Sequence, residues 1–196
     1  MSSPDLTDAE RRAVQDVLNT PNLSMGARIE AFEAAVREHT GLRHAIGVNS
    51  GTAGLHLCVR AAGIQPGDLV LTTPFSFVSS TNVILFEKGI PVFVDVDPVT
   101  GNMDPAQAAQ AVEDLAKGGV AAQRWLPRRG AESIGALKAI LAIDVFGQPA
   151  DYDRLKPLAD QYHLKLIEDS CEALGAEYKS RRLGVQGDYG VFAFYP

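Results

Sequence analysis

The amino-acid sequence predicts an α/β fold, a mostly parallel sheet with helices on both faces. Short apolar runs, each long enough for a strand, alternate with single stretches of helical periodicity through most of the chain. Nearly every position in these runs is apolar, which is typical of strands buried on both faces. Because one helix separates most consecutive strands, we expect parallel pairing.

The chain begins with two predicted helices. Residues 7–18 have Thr7 as the N-cap, Glu10 at the capping-box position and an apolar stripe at helical spacing. Residues 27–40 have a second apolar stripe, and Gly41 is suited to end that helix.

From residue 41 onward, predicted strands and helices alternate. The predicted strands are residues 44–48, 69–73, 90–96, 138–146, 164–169 and 188–195. The predicted helices are residues 52–62, 77–87, 105–116 and 151–162. Residues 118–137 break this rhythm, and we expect them to be a surface insertion. The chain therefore divides into an N-terminal helical segment, residues 1–40, and an α/β part, residues 41–196.

Composition narrows the class of protein. The 196 residues are 46% hydrophobic and 21% charged, with a formal net charge of -6, which is ordinary for a globular protein. This charge and the lack of a Lys/Arg stripe argue against nucleic-acid binding. The polar N-terminus is unlike a secretory signal, and no apolar run approaches the ~18 residues of a membrane span. Two cysteines, Cys58 and Cys171, have no metal-type spacing. We expect a cytoplasmic protein with reduced thiols and no membrane partner.

Ligands of open parallel sheets bind beyond the carboxyl ends of the strands, so the residues that follow each strand carry the most information. After the first predicted strand, Gly51 and Gly54 lie at the start of a helix, with Ser50 and Thr52 supplying hydroxyls. Such a helix start offers free N–H groups and a positive dipole end to a phosphate. An ordinary serine-capped helix entry explains the same residues.

Two aromatic residues follow the second predicted strand. Phe75 and Phe77 lie in the stretch TTPFSFVSSTN, residues 72–82, where the chain turns from loop to helix. Either ring could stack on a flat ligand. The alternative is that both rings belong to the core.

Acidic residues follow the strand of residues 164–169, in the stretch LKLIEDSCEALG. Glu168 and Asp169 end the strand, and Glu172 comes three residues later. A carboxylate in a poorly solvated crevice requires a cationic or hydrogen-bonding partner, and a protonated ring nitrogen would provide one. The alternative is a solvated strand end. A phosphate, a flat ring and a protonated ring nitrogen are the groups that pyridoxal 5′-phosphate carries.

Several segments in the same order carry a resemblance to a known family. FEAAVREHTGLRHAIGVNSGTAGLHL, PGDLVLTTPFSFVSSTNVIL, GIPVFVDVDPVTGNMD, FGQPADYD and LIEDSCEALGAEYKSRRLGVQGDYGVFAFYP closely resemble the DegT/DnrJ/EryC1/StrS sugar aminotransferases. The resemblance covers about residues 5–196, interrupted by residues 118–137. It implies the PLP-binding large domain of the aspartate aminotransferase fold (fold type I). That domain would be incomplete, and the smaller C-terminal domain would be absent.

The resemblance implies a role for each matching residue at the cofactor. Gly51, Thr52 and Ala53 would hold the phosphate of pyridoxal phosphate. Phe77 would stack on the ring, and Asp169 would pair with the ring nitrogen.

Two matching positions depart from the family's usual residues. Glu172 stands where Gln or His is frequent, facing the phenolic oxygen of the cofactor, so its carboxyl group there would need a proton or another compensation. Ala193 stands where many relatives have a serine that contacts the phosphate. The loop of Ser24, Met25 and Gly26 is expected to contact substrate.

No catalytic residue is assigned within this chain. In the family, the Schiff-base lysine follows the aromatic segment shortly, which places it just after Pro196, and neither Lys165 nor Lys179 is at that position. Whether position 198 of a longer chain is lysine or histidine stays open. Histidine would imply a sugar dehydratase that uses pyridoxamine 5′-phosphate, and an inert fragment or relative is a third reading.

The resemblance implies an aminotransferase acting on a nucleotide-linked keto sugar in cell-surface polysaccharide or secondary-metabolite sugar biosynthesis. An amino acid would be the amino donor, and pyridoxamine 5′-phosphate would be the half-reaction form of the cofactor. Enzymes of this fold build their active sites across a dimer, so we expect a homodimer.

Overall fold

The structure is a computed structural model that describes residues 4–128 and 133–195. The chain divides into two compact units. The first comprises Met1–Val48 with Phe194–Pro196, and the second comprises Asn49–Ala193. No helix in the described ranges is long and apolar enough to cross a bilayer.

The first unit contains two α-helices, α1 (Asp8–Leu18) and α2 (Ala27–Thr40). Thr7 caps α1 and forms a capping box with Glu10, as the sequence predicts. Gly41 ends α2 with a φ of 72°, a left-handed conformation that glycine adopts without strain.

The predicted strand at residues 44–48 is wrong. This segment has no strand pairing, and the N–H of Gly47 donates instead to the carboxylate of Glu33 on α2, at 2.9 Å. Ile46 is 77% exposed. The apolar run therefore satisfies its backbone through a helix side chain, an arrangement that hydrophobic periodicity does not reveal.

The second unit contains a central sheet with helices. Its helices are α3 (Gly51–Ala61), α4 (Ser79–Phe86), α5 (Pro105–Lys117), α6 (Gly119–Gln123) and α7 (Tyr152–Gln161), with a 3-10 turn at Val145–Gly147. Its strands are β1 (Leu69–Thr72), β2 (Ile90–Phe93), β3 (Leu137–Ile143), β4 (Lys165–Asp169), β5 (Glu177–Tyr178), β6 (Arg181–Arg182) and β7 (Tyr189–Val191).

Five of these strands form one sheet in the order β2-β1-β3-β4-β7. Each neighbouring pair is parallel, which confirms the predicted α/β class. β5 and β6 form a separate antiparallel ribbon. All five strands of the parallel sheet are shorter than predicted. The differences are largest for the strand expected at 90–96, which ends at Phe93, the strand expected at 138–146, which ends at Ile143, and the strand expected at 188–195, which spans Tyr189–Val191.

Side chains of alternating strand positions enter two buried hydrophobic clusters. Leu71 belongs to a cluster with Ala108 of α5 and Leu155 of α7. Val70 belongs to the other cluster, with Leu55 of α3 and Val83 of α4. Because successive strand residues point to opposite faces, the two clusters cover the two faces of the sheet.

The predicted surface insertion, residues 118–137, is packed in its first part. Ala122 on α6 is buried, and the Asp114 carboxylate accepts hydrogen bonds from Arg124 at 2.5 Å and from the indole of Trp125 at 2.9 Å. Near its end, the Gly135 N–H donates to the Gly67 carbonyl at 2.8 Å. The residues between, 129–132, lie outside the described ranges.

We expect substitution at Leu141 to measure the contribution of the central strand. Leu141 lies on β3 and is fully buried, so Leu141→Ala removes packed methyl groups and leaves a cavity. The expected loss is about 2–5 kcal/mol in the free energy of unfolding, measured by chemical denaturation. Lys138→Ala, an exposed substitution on the same strand, should change it by less than about 0.5 kcal/mol. Equal losses for the two variants would contradict this assignment of the core.

Candidate cofactor site

Asp169, the last residue of β4, is buried at the carboxyl edge of the sheet. Its side chain is 6% exposed. Its Oδ2 accepts a hydrogen bond from the Ser80 hydroxyl at 2.7 Å, and its Oδ1 accepts one from the Cys171 N–H at 3.3 Å. Among the described residues, no lysine, arginine or histidine forms an ion pair with it. The solvated strand end considered for Glu168 and Asp169 is therefore wrong.

Ser80 connects this acid to the aromatic turn before α4. Its hydroxyl is fully buried, and its backbone N–H donates to the carbonyl of Phe77 at 3.2 Å. Phe77 itself is 70% exposed and Phe75 is 48% exposed, so neither ring belongs to the core. Phe77 thus lies about one helical turn before Ser80, the hydrogen-bond donor to Asp169, and its ring lies outside the hydrophobic core.

The N-terminus of α3 provides backbone donors. Ser50 is the N-cap, and its Oγ accepts a hydrogen bond from the Ala53 N–H at 3.1 Å. The N–H groups of Gly51 and Thr52 have no acceptor among the described residues, so they are available to an anion. Of the three predicted phosphate residues, Gly51 and Thr52 have free N–H groups, whereas the N–H of Ala53 is already used by the cap.

Close packing brings this helix start next to the end of β4. A Cβ atom at Gly51 would lie 3.0 Å from both the Cys171 Sγ and the Ala193 Cβ, so only glycine fits there without displacing a neighbour. Cys171 follows Asp169 by two residues. The start of α3 and the buried acid therefore lie beside each other, although the segment before α3 is not the strand that the sequence predicted.

The two thiols contribute apolar surface to this region. Both Cys58 and Cys171 pack against the hydrophobic cluster that includes Leu55 and Val83. Burial, together with the charge of Asp169, raises the pKa of Cys58 to about 11 and raises that of Cys171. Because thiolates are the reactive form, both cysteines are expected to be inert packing groups.

Glu172 contacts a loop of the protein. Its carboxylate accepts the N–H of Phe146 at 2.9 Å, and Phe146 has a φ of 54°. The Phe146 ring packs edge-on against Phe75, with centroids 6.2 Å apart. Glu172 therefore stabilises the left-handed turn of the 3-10 segment, and its predicted contact with the cofactor stays a prediction.

Ser24, Met25 and Gly26, the predicted substrate loop, lie in the first compact unit. Gly26 is the N-cap of α2, and Met25 is 86% exposed with a φ of 52°. Their predicted contact with substrate stays a prediction.

Two further acids lie behind Asp169. Glu168 is fully buried, and its carboxylate accepts the N–H groups of Gly184, at 2.9 Å, and Gly187. Burial raises the pKa of Glu168 to about 7, and the neighbouring Asp144 adds to that rise. Glu168 therefore ties the loop before β7 to β4.

Asp144, the residue after β3, is the second of these acids. It accepts the Tyr152 hydroxyl at 2.7 Å and the Ala150 N–H at 3.0 Å on Oδ1, and the Ser170 hydroxyl at 2.7 Å on Oδ2. Burial raises the pKa of Asp144 above its usual range, against the effect of these donors. Its backbone N–H donates to the carbonyl of Asp169 at 3.0 Å. Through this bond and the bond from Ser170, Asp144 holds Asp169 and Ser170 against the end of β3.

The sequence reasoning missed Ser80 and Asp144. A signal for Ser80 was available: Ser76 and Ser80 are spaced four residues apart at a predicted helix start, which puts them on one face. Asp144 follows the strand pattern AILAI directly, as Asp169 follows LKLIE, but it was included in a longer predicted strand.

The fold and this arrangement define a class of protein. The parallel sheet with helices on both faces is the fold of PLP-dependent aminotransferases of fold type I, the class of the structural neighbours. The family model described as "DegT/DnrJ/EryC1/StrS aminotransferase family" matches residues 4–196. The chain belongs to that family.

Individual relatives agree with this assignment. The chain is 33% identical over 195 residues to "Putative pyridoxal phosphate-dependent aminotransferase EpsN" of Bacillus subtilis, covering 99% of this chain and 46% of that protein. It is 33% identical over 196 residues to GDP-perosamine synthase of Caulobacter vibrioides, covering 100% and 47%. The crystal structure of the aminotransferase from Psychrobacter cryohalolentis superposes with a TM-score of 0.80 at 32% identity, covering 97% and 43%. The chain thus spans about half the length of the relatives it matches.

We expect Glu168 to make stability depend on pH. Its pKa is about 7 in the folded chain, against an ordinary 4.5, so between these values the folded chain keeps a proton that the unfolded chain loses. The free energy of unfolding should therefore fall as pH rises from about 4.5 to 7, by up to about 3 kcal/mol from this residue. Chemical denaturation at pH 5, 6, 7 and 7.5 measures this slope.

Glu168→Gln should remove that part of the slope, because glutamine does not titrate. Glu177→Gln, on the exposed ribbon strand β5, is the matched control and should keep the wild-type slope. If Glu168→Gln and wild type lose stability in parallel with rising pH, Glu168 does not hold its proton in the folded chain.

Proposed function

We propose that this chain is the cofactor-binding part of a pyridoxal phosphate-dependent aminotransferase that acts on a nucleotide-linked keto sugar. The lysine that carries the cofactor would lie beyond Pro196, and an amino acid would donate the nitrogen. The observation that carries the proposal is the buried Asp169 carboxylate, which accepts two hydrogen bonds from its own chain and has no cationic partner among the described residues.

The residues present fit the cofactor at three points. The Gly51 and Thr52 N–H groups, at the positive end of α3, suit a phosphate. Phe77 offers an exposed ring for stacking on a flat heterocycle. Asp169 retains lone pairs beyond those used by Ser80 and Cys171, because a carboxylate has about four acceptor positions. It can therefore accept a hydrogen bond from a protonated ring nitrogen.

When bound, pyridoxal phosphate supplies an electron sink for the carbon next to the transferred nitrogen. Asp169 would maintain that sink by holding a proton on the ring nitrogen, since a carboxylate favours a nearby positive charge. The donors at α3 would fix the phosphate end, and Phe77 would restrict the tilt of the ring. Burial of Asp169 excludes water from the acid and so strengthens its attraction for a cation.

The substrate class rests on the family and its members. The relative GDP-perosamine synthase is named for a sugar carried on a nucleotide, and the family comprises sugar aminotransferases. We place this protein with them, in the synthesis of sugars for cell-surface polysaccharides or secondary metabolites. Pyridoxamine 5′-phosphate would be the aminated form of the cofactor between the two half-reactions.

We propose a cytoplasmic homodimer for the whole protein. Free thiols at Cys58 and Cys171 support a reducing compartment. Exposed rings at Phe75 and Phe146 support burial against a second copy.

Sedimentation analysis tests the homodimer. Dimers are expected at micromolar concentration, because exposed aromatic surface is stabilised by burial. Phe146→Ser should shift the equilibrium toward monomer, and Val99→Ser, at an equally exposed position, should not. A wild-type chain that stays monomeric at that concentration would refute the homodimer.

We expect Asp169→Asn to weaken binding of pyridoxamine 5′-phosphate about 10- to 100-fold, because a charge-assisted hydrogen bond to a protonated ring contributes about 1.5–3 kcal/mol. Titration calorimetry measures this directly, because pyridoxamine 5′-phosphate binds non-covalently and needs no Schiff-base lysine. Asp160→Asn, on the exposed face of α7, is the matched charge control and should bind as wild type does. Absence of binding by the wild-type chain, or unchanged affinity in Asp169→Asn, would refute the cofactor assignment.

A further inference from the structure

Three side chains form a hydrogen-bonded row that ends on the proposed cofactor acid. The Ser76 and Ser80 hydroxyl oxygens lie 2.7 Å apart, and the Ser80 hydroxyl lies 2.7 Å from the Asp169 Oδ2. A serine hydroxyl has a single proton, and Ser80 donates its proton to the carboxylate. The Ser80 oxygen must then accept from Ser76, so the row runs in one direction, from Ser76 through Ser80 to Asp169.

Ser80 is held firmly enough to orient its partner. It is fully buried on the first turn of α4, and its N–H bonds to the Phe77 carbonyl at 3.2 Å. A buried hydroxyl with a donor on one side and an acceptor on the other has little freedom to rotate. One residue therefore links the backbone of the aromatic turn to the buried acid.

The other donors to Asp169 hold its carboxylate less firmly than Ser80 does. The Cys171 N–H contacts Oδ1 at 3.3 Å, a long hydrogen bond from a residue two positions away. The Cys171 thiol, which burial keeps neutral, adds only a weak sulfur hydrogen bond to Asp169, and the neutral Cys58 thiol packs in the same region. Rotation of the carboxylate about its Cβ–Cγ bond is thus limited chiefly by the 2.7 Å bond from Ser80.

We propose that Ser80 is a positioning residue for Asp169 and that Ser76 supports it from the loop. The proposal rests on the proposed function, in which Asp169 accepts a hydrogen bond from the protonated ring nitrogen of the cofactor. Ser80 fixes the plane of the carboxylate so that its free lone pairs face that nitrogen. Ser80 also connects the turn that contains Phe77 to Asp169, because its N–H bonds the Phe77 carbonyl and its hydroxyl bonds the Asp169 carboxylate.

The test separates positioning from general packing by changing the ligand. Pyridoxamine 5′-phosphate has the ring nitrogen, and its 1-deaza analogue has C–H in that place and cannot bond Asp169 in this way. Titration calorimetry gives the affinity of each ligand for wild type and for Ser80→Ala. Ser80→Ala should weaken binding of pyridoxamine 5′-phosphate about three- to tenfold and binding of the analogue less than about twofold.

Ser79→Ala is the matched control. Ser79 is the adjacent buried serine on α4, and its hydroxyl forms no hydrogen bond within the described residues. It should leave the ratio of the two affinities as in wild type. Ser76→Ala is the second variant: it should weaken pyridoxamine 5′-phosphate selectively but less, by about two- to threefold. It keeps the test decisive if circular dichroism shows that Ser80→Ala does not fold.

The outcomes are distinguishable. Equal losses for both ligands, or no loss in either serine variant that folds, overturn the positioning role while leaving the cofactor assignment intact. A wild-type chain that binds neither ligand overturns the proposed function and the positioning role with it. A loss confined to the ligand with a ring nitrogen supports both.

Discussion

The burial of one carboxylate constrains the arrangement of everything around it. Asp169 follows three fully buried residues of its strand, Leu166, Ile167 and Glu168, and an acid in such a place is stable only with donors directed at it. Three elements meet this requirement from different directions: the first turn of α4 supplies Ser80, the turn after β4 supplies the Cys171 N–H, and the start of α3 packs against that turn at Gly51. The site is therefore a consequence of how the fold accommodates an acid at this point.

The same requirement extends to the acids behind it. Asp144 and Glu168 each accept backbone or hydroxyl donors from segments distant in sequence, so each carboxyl group fixes a loop to the sheet edge. Burial raises the pKa of both groups, and their mutual repulsion adds to the cost of charging them. A cation that arrives next to Asp169 enters a region of negative potential with little water, where attraction is strong. A protonated heterocycle is better suited to that environment than an anionic or neutral one.

The sequence predicted the parts of this molecule that depend on local pattern. Apolar strands, single intervening helices and the acid at the end of β4 are all visible in the order of residues, and the parallel sheet follows from them. The strand at residues 44–48 was wrong because its backbone bonds to Glu33, fourteen residues earlier. Ser80 and Asp144 were missed for a related reason. The hydrogen-bond partners of a hydroxyl or carboxyl group come from distant segments of the chain, and the sequence alone does not show which segments meet. Hydrophobic periodicity also does not predict the order of the strands across the sheet, which places β7 beside β4.

The phosphate end of the site shows how a departure from the family pattern can be accommodated. Ala193 stands where the resemblance implies a serine hydroxyl, and Gly51 packs so tightly against Ala193 and Cys171 that an added Cβ would lie 3.0 Å from each. Under the proposed function, phosphate binding without that hydroxyl would depend on the N–H groups of Gly51 and Thr52 and on the dipole of α3, which are fixed by the helix itself. Two small residues in contact allow that helix start to approach the strand end closely. The spacing between the helix start and the buried acid is therefore set by backbone packing, and under the proposed function that spacing would select a rigid ligand with a phosphate at one end and a cationic ring nitrogen at the other.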